Sequence, residues 1–211
     1  MQGFPSGEAD FDAWRRRMSP PDNEIPAAVP VNTVLGRSAD AVIALVGVEA
    51  YTTGWSFRLA IRTRLAAASV ERISRVLSGH PDPDHGDPDE RLLLGVEFAD
   101  GRRASTLDLG MFPDPTADPD APVLSPCGGG GDHRSHNLDF WIAPLPPEGD
   151  LLLVCVCAPL QIPESHIALD GGVIARAGAA ATVLWPPVPF EESPPPSPPR
   201  RPATGWFAGP S

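Results

Sequence analysis

The chain has no lysine, only three cysteines among its 211 residues and no long hydrophobic run. The missing lysine, together with abundant alanine, glycine and proline, is typical of high-GC bacterial coding and indicates no particular chemistry. Three cysteines do not form a disulfide framework, so the sequence favours a reducing compartment. No window reaches the ~18 apolar residues of a membrane span, and residues 1–18 lack the apolar core of a signal peptide. We therefore expect a soluble, cytoplasmic protein.

Positive charge is also scarce, since 16 arginines stand against 27 acidic residues and give a net charge of -11. Nucleic-acid binding draws its affinity from clustered basic side chains that neutralise phosphates, so this composition argues against a nucleic-acid partner. Nine of the acidic residues lie in two proline-rich segments that we interpret as solvated loops. They are Asp82, Asp84, Asp87, Asp89, Glu90, Asp108, Asp114, Asp118 and Asp120.

The 28 prolines and 20 glycines argue against long helices and suit the many turns of a β-fold. Both ends of the chain are proline-rich, so we expect the folded domain to be shorter than the whole chain. We expect residues 1–30 to be a mostly disordered arm with a short helix before Pro20. Residues 31–187 should form one β-sandwich domain, and residues 188–211 should be a disordered tail.

Residues 91–109 carry the clearest structural signal. Asp100 and Gly101 stand between two β-prone runs, and this dipeptide favours a hairpin turn. Further strands are indicated by apolar runs or by alternation of apolar and polar residues. They cover residues 41–52, 55–64, 138–142, 151–157 and 163–169.

Helical spacing predicts a helix over residues 65–78, and Asp170 is placed to cap a short helix that runs through Ala177. Residues 183–185 are expected to close the core. Seven to nine short strands separated by turns predict an all-β protein, an antiparallel β-sandwich with one or two short helices. A partly open β-barrel is the alternative.

Six short motifs stand out along the central part of the chain. They are Leu94 to Arg103, Gly128 to Gly131, Phe140 to Gly149, Ile162 to Ser165, Leu169–Asp170 and Leu184 to Pro186. Taken together, these motifs resemble a family of uncharacterised actinobacterial proteins. The likeness covers roughly residues 31–187 and implies the same domain limits. It implies no activity, cofactor or functional residue.

The candidate ligand site is a glycine-rich loop over residues 127–136. Four consecutive glycines free the backbone to approach a ligand, and charged or proton-carrying side chains follow them. Cys127 is an alternative nucleophile, although no Cys–His signature of a known protease accompanies it. A flexible connection without a ligand is the competing interpretation. The side chains expected to face a ligand or partner are Asp132, His133, Arg134 and His136.

Three other groups of residues point to structure rather than chemistry. Residues 80–90 hold two histidines and five carboxylates, but their spacing matches no known metal loop, so we expect a solvated loop without a metal. Cys155 and Cys157 share one face of a strand and are expected to be buried thiols. Ser165 and His166 point to opposite faces of a strand, which prevents them from acting as nucleophile and base.

The sequence therefore predicts a non-enzymatic binding or protein-interaction module, because no complete catalytic set is visible. The alternative is a hydrolase or metal-dependent enzyme that uses the loop 127–136. No cofactor is predicted. A protein partner is expected to contact the loops or the tail, where Trp206 and Phe207 are possible anchors.

Overall fold

The computed structural model describes residues 13–14, 16–64, 91–108, 118 and 120–187. The predicted helix over 65–78, the acidic segment 80–90 and the tail 188–211 lie outside the described residues. A helical turn at residues 16–18 precedes the first strand, as expected for the N-terminal arm.

Twelve strands make up most of the described chain. The helix α1 spans Gly171–Ala179, and a 3-10 turn spans Ala158–Leu160. The strands are β1 Glu24–Ile25, β2 Ala27–Val29, β3 Thr33–Arg37, β4 Ala41–Ala50, β5 Trp55–Thr63, β6 Leu92–Glu97, β7 Arg103–Ser105, β8 Val123–Gly131, β9 Ser135–Ala143, β10 Asp150–Cys157, β11 Ile162–Asp170 and β12 Thr182–Val183.

The strands form two large antiparallel sheets and a small ribbon. The first sheet has the order β2–β4–β5–β9–β8, and β3 pairs with β4 beside β2. Pro30, which has no backbone N–H, lies between β2 and β3. The second sheet has the order β11–β10–β6–β7, while β1 and β12 form the ribbon. The described strands form no closed barrel, and the predicted antiparallel β-sandwich is confirmed.

The core lies between the two sheets and follows from the alternation along their strands. On β5, Phe57 is buried and stacks on Phe140 of β9, with ring centroids 5.4 Å apart. On β10, Cys155 and Cys157 are fully buried together with the leucines of the same face, as predicted. Burial raises the pKa of Cys155 to about 12 and that of Cys157 to about 11. Both thiols therefore stay protonated and act as small apolar side chains.

Two local predictions are confirmed. The β6–β7 hairpin turns at Asp100 and Gly101, where Gly101 has a φ of 85° and its N–H donates to the Phe98 carbonyl at 2.9 Å. Glycine adopts this left-handed conformation without a steric penalty. Helix α1 begins directly after Asp170, whose side chain accepts a hydrogen bond from the Val173 N–H at 2.9 Å.

Three segments differ from the predictions. Residues 123–131 form strand β8, although residues 127–136 were predicted to be a glycine-rich loop. Strands β1 and β2 lie within the predicted N-terminal arm and pair with β12 and β4. The prediction that residues 183–185 close the core was wrong, because Val183, Leu184 and Trp185 are all exposed. Strands β1 and β2 pair with strands that follow later in the chain, which local patterns do not reveal. Strand β8 pairs with its hairpin neighbour β9, but its four glycines and Pro126 are residues that strands usually lack, so local propensity did not predict it.

Candidate functional site

The outer face of the first sheet carries a row of polar side chains. Because successive residues of a strand point to opposite faces, Ser56 and Arg58 point outward from β5 while Phe57 faces the core. The strand register places Glu49 of β4 opposite Ser56, and Asp139 of β9 opposite Arg58. Three strands thus bring these four polar side chains to one surface.

These residues form the floor of a groove with a volume of about 750 Å³, which we call the outer groove. One wall is the connection between β2 and β3, and another includes Pro20. The groove is lined by Pro20, Ala28, Val29, Pro30, Val31, Asn32, Val46, Gly47, Val48, Glu49, Tyr51, Ser56, Phe57, Arg58, Cys127 and Asp139.

The N-terminal segment reaches this groove because it is anchored on the sheet. The Trp141 indole N–H donates to the Arg17 carbonyl at 2.9 Å, and the Ser125 hydroxyl donates to the Met18 carbonyl at 2.8 Å. Trp141 is fully buried on the outer face of β9, so the segment covers an apolar side chain that would otherwise face water. Pro20 follows two residues later and becomes part of the groove wall.

Arg58 and Asp139 form a two-point ion pair on the groove floor. Arg58 Nε lies 2.7 Å from Asp139 Oδ1, and Arg58 Nη2 lies 3.1 Å from Asp139 Oδ2. The hydrogen bond to Asp139 and the charge of its carboxylate raise the pKa of Arg58 further above its ordinary value. Such a pair fixes both side chains in orientation and neutralises both charges.

Glu49 is the third charged residue of the groove. It is exposed, and among the described residues its carboxylate has no hydrogen-bond or ion-pair partner. Its charge raises the pKa of three groove residues, Tyr51, Arg58 and Cys127. For Tyr51, burial is the larger cause. Glu49 therefore acts electrostatically on the whole floor of the groove and leaves it with one uncompensated negative charge.

Cys127 lines the outer groove at a β-bulge. The pairing between β8 and β9 shifts between Pro126 and Gly128, so Cys127 is the extra residue. Desolvation, followed by the nearby carboxylates of Asp139 and Glu49, raises its pKa to about 11. The thiolate is therefore scarce at neutral pH, and this environment opposes the nucleophilic role considered for Cys127.

The other predicted site residues lie at the tip of the β8–β9 hairpin and do not line the groove. The Asp132 carboxylate accepts hydrogen bonds from the backbone N–H groups of Arg134 and Ser135, which closes the turn and lowers the pKa of Asp132. The His133 and Arg134 carbonyls accept hydrogen bonds from Thr63 of β5. These backbone contacts hold the tip against the sheet.

His136 is half-buried beside this tip, in register with the buried Ile61, so it lies on the core side of the sheet. Burial lowers the pKa of His136 below its ordinary value. The predicted loop 127–136 is thus divided: residues 127–131 belong to β8, residues 135–136 belong to β9, and only residues 132–134 form the turn. The structure places Cys127 in the groove, Asp132, His133 and Arg134 in the hairpin turn, and His136 in β9 on the core side of the sheet.

No group of three or more histidine, cysteine or acidic side chains among the described residues is arranged to hold a metal ion. The acidic segment 80–90 lies outside the described residues, so its predicted lack of a metal stays a prediction. In the described part of the chain, no helix has the length and apolar character needed to cross a membrane.

Comparison with known proteins adds no family. No protein-family model matches the chain, and no curated protein or solved structure is significantly similar to it. The resemblance to an actinobacterial family therefore stays a prediction, and function has to be argued from the geometry of the molecule.

The sequence had not identified Glu49, Arg58 or Asp139 as site residues. The alternation of apolar and polar residues over 55–64 places Arg58 on the solvent-facing side of a strand, but a single exposed arginine is an ordinary surface feature. A signal would have required knowing the register that joins Arg58 to Asp139, 81 positions away.

Proposed function

We propose that this protein is a non-enzymatic binding module and that its ligand occupies the outer groove. The observation that carries the proposal is a concave surface of about 750 Å³ with apolar walls and a small number of fixed polar groups. Ligand sites typically have volumes of about 300–1,000 Å³ and this mixture of lining residues. The groove also lies on strands of the sheet, which hold its side chains more rigidly than a loop does.

A binding role suits the groove better than catalysis. Arg58 and Asp139 satisfy each other, and the pKa of Cys127, about 11, keeps its thiol protonated. The Asp132 carboxylate already accepts hydrogen bonds from the backbone of its own turn. None of these groups is therefore poised for nucleophilic attack or proton transfer near neutral pH. Nothing in the described residues favours the alternative enzyme built on residues 127–136.

The proposed cellular setting is the cytoplasm, where free thiols such as those of Cys127, Cys155 and Cys157 persist in the reduced state. Contacts of a protein partner with the loops or the tail 188–211 stay a separate prediction. Unchanged capture of a cellular partner by a protein that lacks residues 188–211 would contradict a role for the tail.

The groove can be tested with three fragments of similar shape, 2-phenylethanol, 2-phenylethylammonium and 3-phenylpropionate. We expect at least one of them, at millimolar concentration, to shift backbone amide NMR signals at groove residues such as Ser56 and Arg58. Val46→Trp should abolish these shifts because Val46 lines the groove and is 40% exposed. Val34→Trp is the matched control, since Val34 is 43% exposed but lies outside the groove lining.

Two results would contradict the proposal. Shifts from all three fragments that cluster at Asp132–Arg134 would move the site to the hairpin tip. The absence of any shift in the groove would remove the groove as a ligand site.

A further inference from the structure

We infer that the ligand of the outer groove is an organic cation, with an ammonium or guanidinium group that pairs with Glu49 and an apolar body that lies against the groove walls. This inference rests on the proposed function and adds the chemical class of the ligand. It follows from the balance of charges on the groove floor and from the composition of the walls.

The charge balance favours a positive ligand. Among the residues that the structure describes, three charged ones line the groove, and two of them, Arg58 and Asp139, neutralise each other through contacts of 2.7 and 3.1 Å. Glu49 is left with no ion-pair partner among the described residues. An incoming anion would be repelled by Glu49 and Asp139, and at Arg58 it would compete with the Asp139 carboxylate for a guanidinium whose Nε and Nη2 are already bonded to it. A cation gains attraction from Glu49 without disturbing that pair.

The walls favour an organic body over a bare metal ion. Val31 and Val46 line the groove together with Pro20 and Pro30, so much of its surface offers dispersion contacts and no ligands for a hydrated ion. Divalent metals need several oxygen, nitrogen or sulfur ligands, and no such cluster exists among the described residues. A single unpaired carboxylate matches a single cationic group.

The charge of the whole chain acts in the same direction. With 27 acidic residues against 16 arginines, the protein is surrounded by a negative potential that attracts cations and repels anions. This long-range contribution is screened at moderate ionic strength, so it affects the rate of encounter more than the choice between ligands. The choice between ligands is made locally by Glu49.

The same three fragments test this inference, because they share one phenyl group and differ in charge. In NMR titrations at pH 7.5 we expect 2-phenylethylammonium to bind the groove at least fivefold more tightly than 2-phenylethanol, and 3-phenylpropionate to bind most weakly. Glu49→Gln should remove the preference for the cation, so that 2-phenylethylammonium binds no more tightly than 2-phenylethanol. The matched control is Glu148→Gln, an exposed carboxylate outside the groove, which should keep the preference.

The outcomes separate this inference from the proposed function. Equal affinity for the cation and the neutral fragment, tighter binding of the anion, or a cation preference that survives in Glu49→Gln would overturn the cation inference while groove binding stands. If none of the three fragments shifts the groove amides, both the inference and the proposed function fail. Circular dichroism of each variant checks that the fold is retained; Glu49 is exposed, so folding should not depend on it.

Discussion

At the scale of single residues, the strand β8 depends on backbone conformations that only glycine adopts easily. Gly131 has a φ of 143°, and a Cβ placed there would approach the Ser135 carbonyl oxygen to 2.1 Å. The neighbouring Gly130 has no atom within 4 Å of the corresponding position. Of these two adjacent glycines, Gly131 cannot be replaced without a steric clash, whereas Gly130 has room for a side chain.

We predict that Gly131→Ala lowers the free energy of unfolding by about 1–3 kcal/mol, because alanine at a positive φ is strained and collides with β9. Gly130→Ala, the control, should change it by less than about 0.5 kcal/mol. Urea unfolding followed by circular dichroism measures both. Equal effects of the two substitutions would mean that the backbone conformation assigned to Gly131 is incorrect.

Cysteine reactivity provides a second test at this scale. In the folded protein, iodoacetamide should label Cys127 alone, because Cys155 and Cys157 are completely buried. Labelling should be slow at pH 8 and should accelerate up to about pH 11, the pKa of the Cys127 thiol. Glu49→Gln should raise the rate at pH 8 by removing a neighbouring negative charge.

The controls for this experiment are direct. Cys127→Ser should show no labelling in the folded state, whereas all three cysteines should react in the wild-type chain after unfolding. A rate at pH 8 equal to that of an unstructured cysteine peptide would contradict the raised pKa.

At the scale of elements, helix α1 begins where the chain leaves β11 at Asp170. The Asp170 carboxylate accepts a hydrogen bond from the Val173 N–H, one of the backbone donors that the first turn of a helix leaves without a partner. The helix also has two glycines at its start, Gly171 and Gly172, which weaken helical conformation. The cap is therefore important for holding this helix.

We predict that Asp170→Ala destabilises the protein by about 0.5–2 kcal/mol, the usual cost of losing an N-cap side chain. Asp170→Asn keeps an oxygen that can accept the same hydrogen bond and should retain most of the stability. Thermal unfolding of the two variants gives the comparison. If asparagine is as destabilising as alanine, the carboxylate contributes something other than the cap.

At the scale of the whole molecule, acid should destabilise the fold through groups whose pKa is lower in the folded state than in the unfolded chain. Burial lowers the pKa of His136, so the unfolded chain binds that proton more readily and stability falls as the pH drops through about 6.5, the unfolded value. Backbone hydrogen bonds lower the pKa of Asp132 and Asp100, and their contribution is lost as the pH falls below about 4.

We therefore predict a decline of the unfolding free energy in two steps, one that begins as the pH falls through about 6.5 and one below about pH 4. His136→Gln should flatten the first step and leave the second, whereas Ser135→Ala, which removes no titrating group, should keep both. Urea unfolding at a series of pH values provides the measurement. A first step that persists in His136→Gln would assign it to another group.

The sequence by itself determined the features that depend on a few neighbouring residues. The dipeptide Asp100–Gly101 predicts its turn, Asp170 predicts its helix cap, and alternation along β5 predicts which side chains face the core. In each case the decisive interaction spans at most a few positions along the chain, such as the hydrogen bond from Gly101 to Phe98. Local backbone preference and hydrophobic periodicity are therefore enough to predict an antiparallel β-sandwich from the sequence.

Only the tertiary structure decided where the outer groove lies. Glu49, Arg58 and Asp139 come from three strands, and it is the register of those strands that places them on one groove floor. The same pairing turned the glycine run into part of β8, held the N-terminal segment against Trp141 and separated Cys127 from His136. The groove floor and the anchored N-terminal segment depend on contacts between residues far apart in the chain, whereas β8 pairs with its hairpin neighbour β9. The energy of all these contacts is gained only when the strands have assembled.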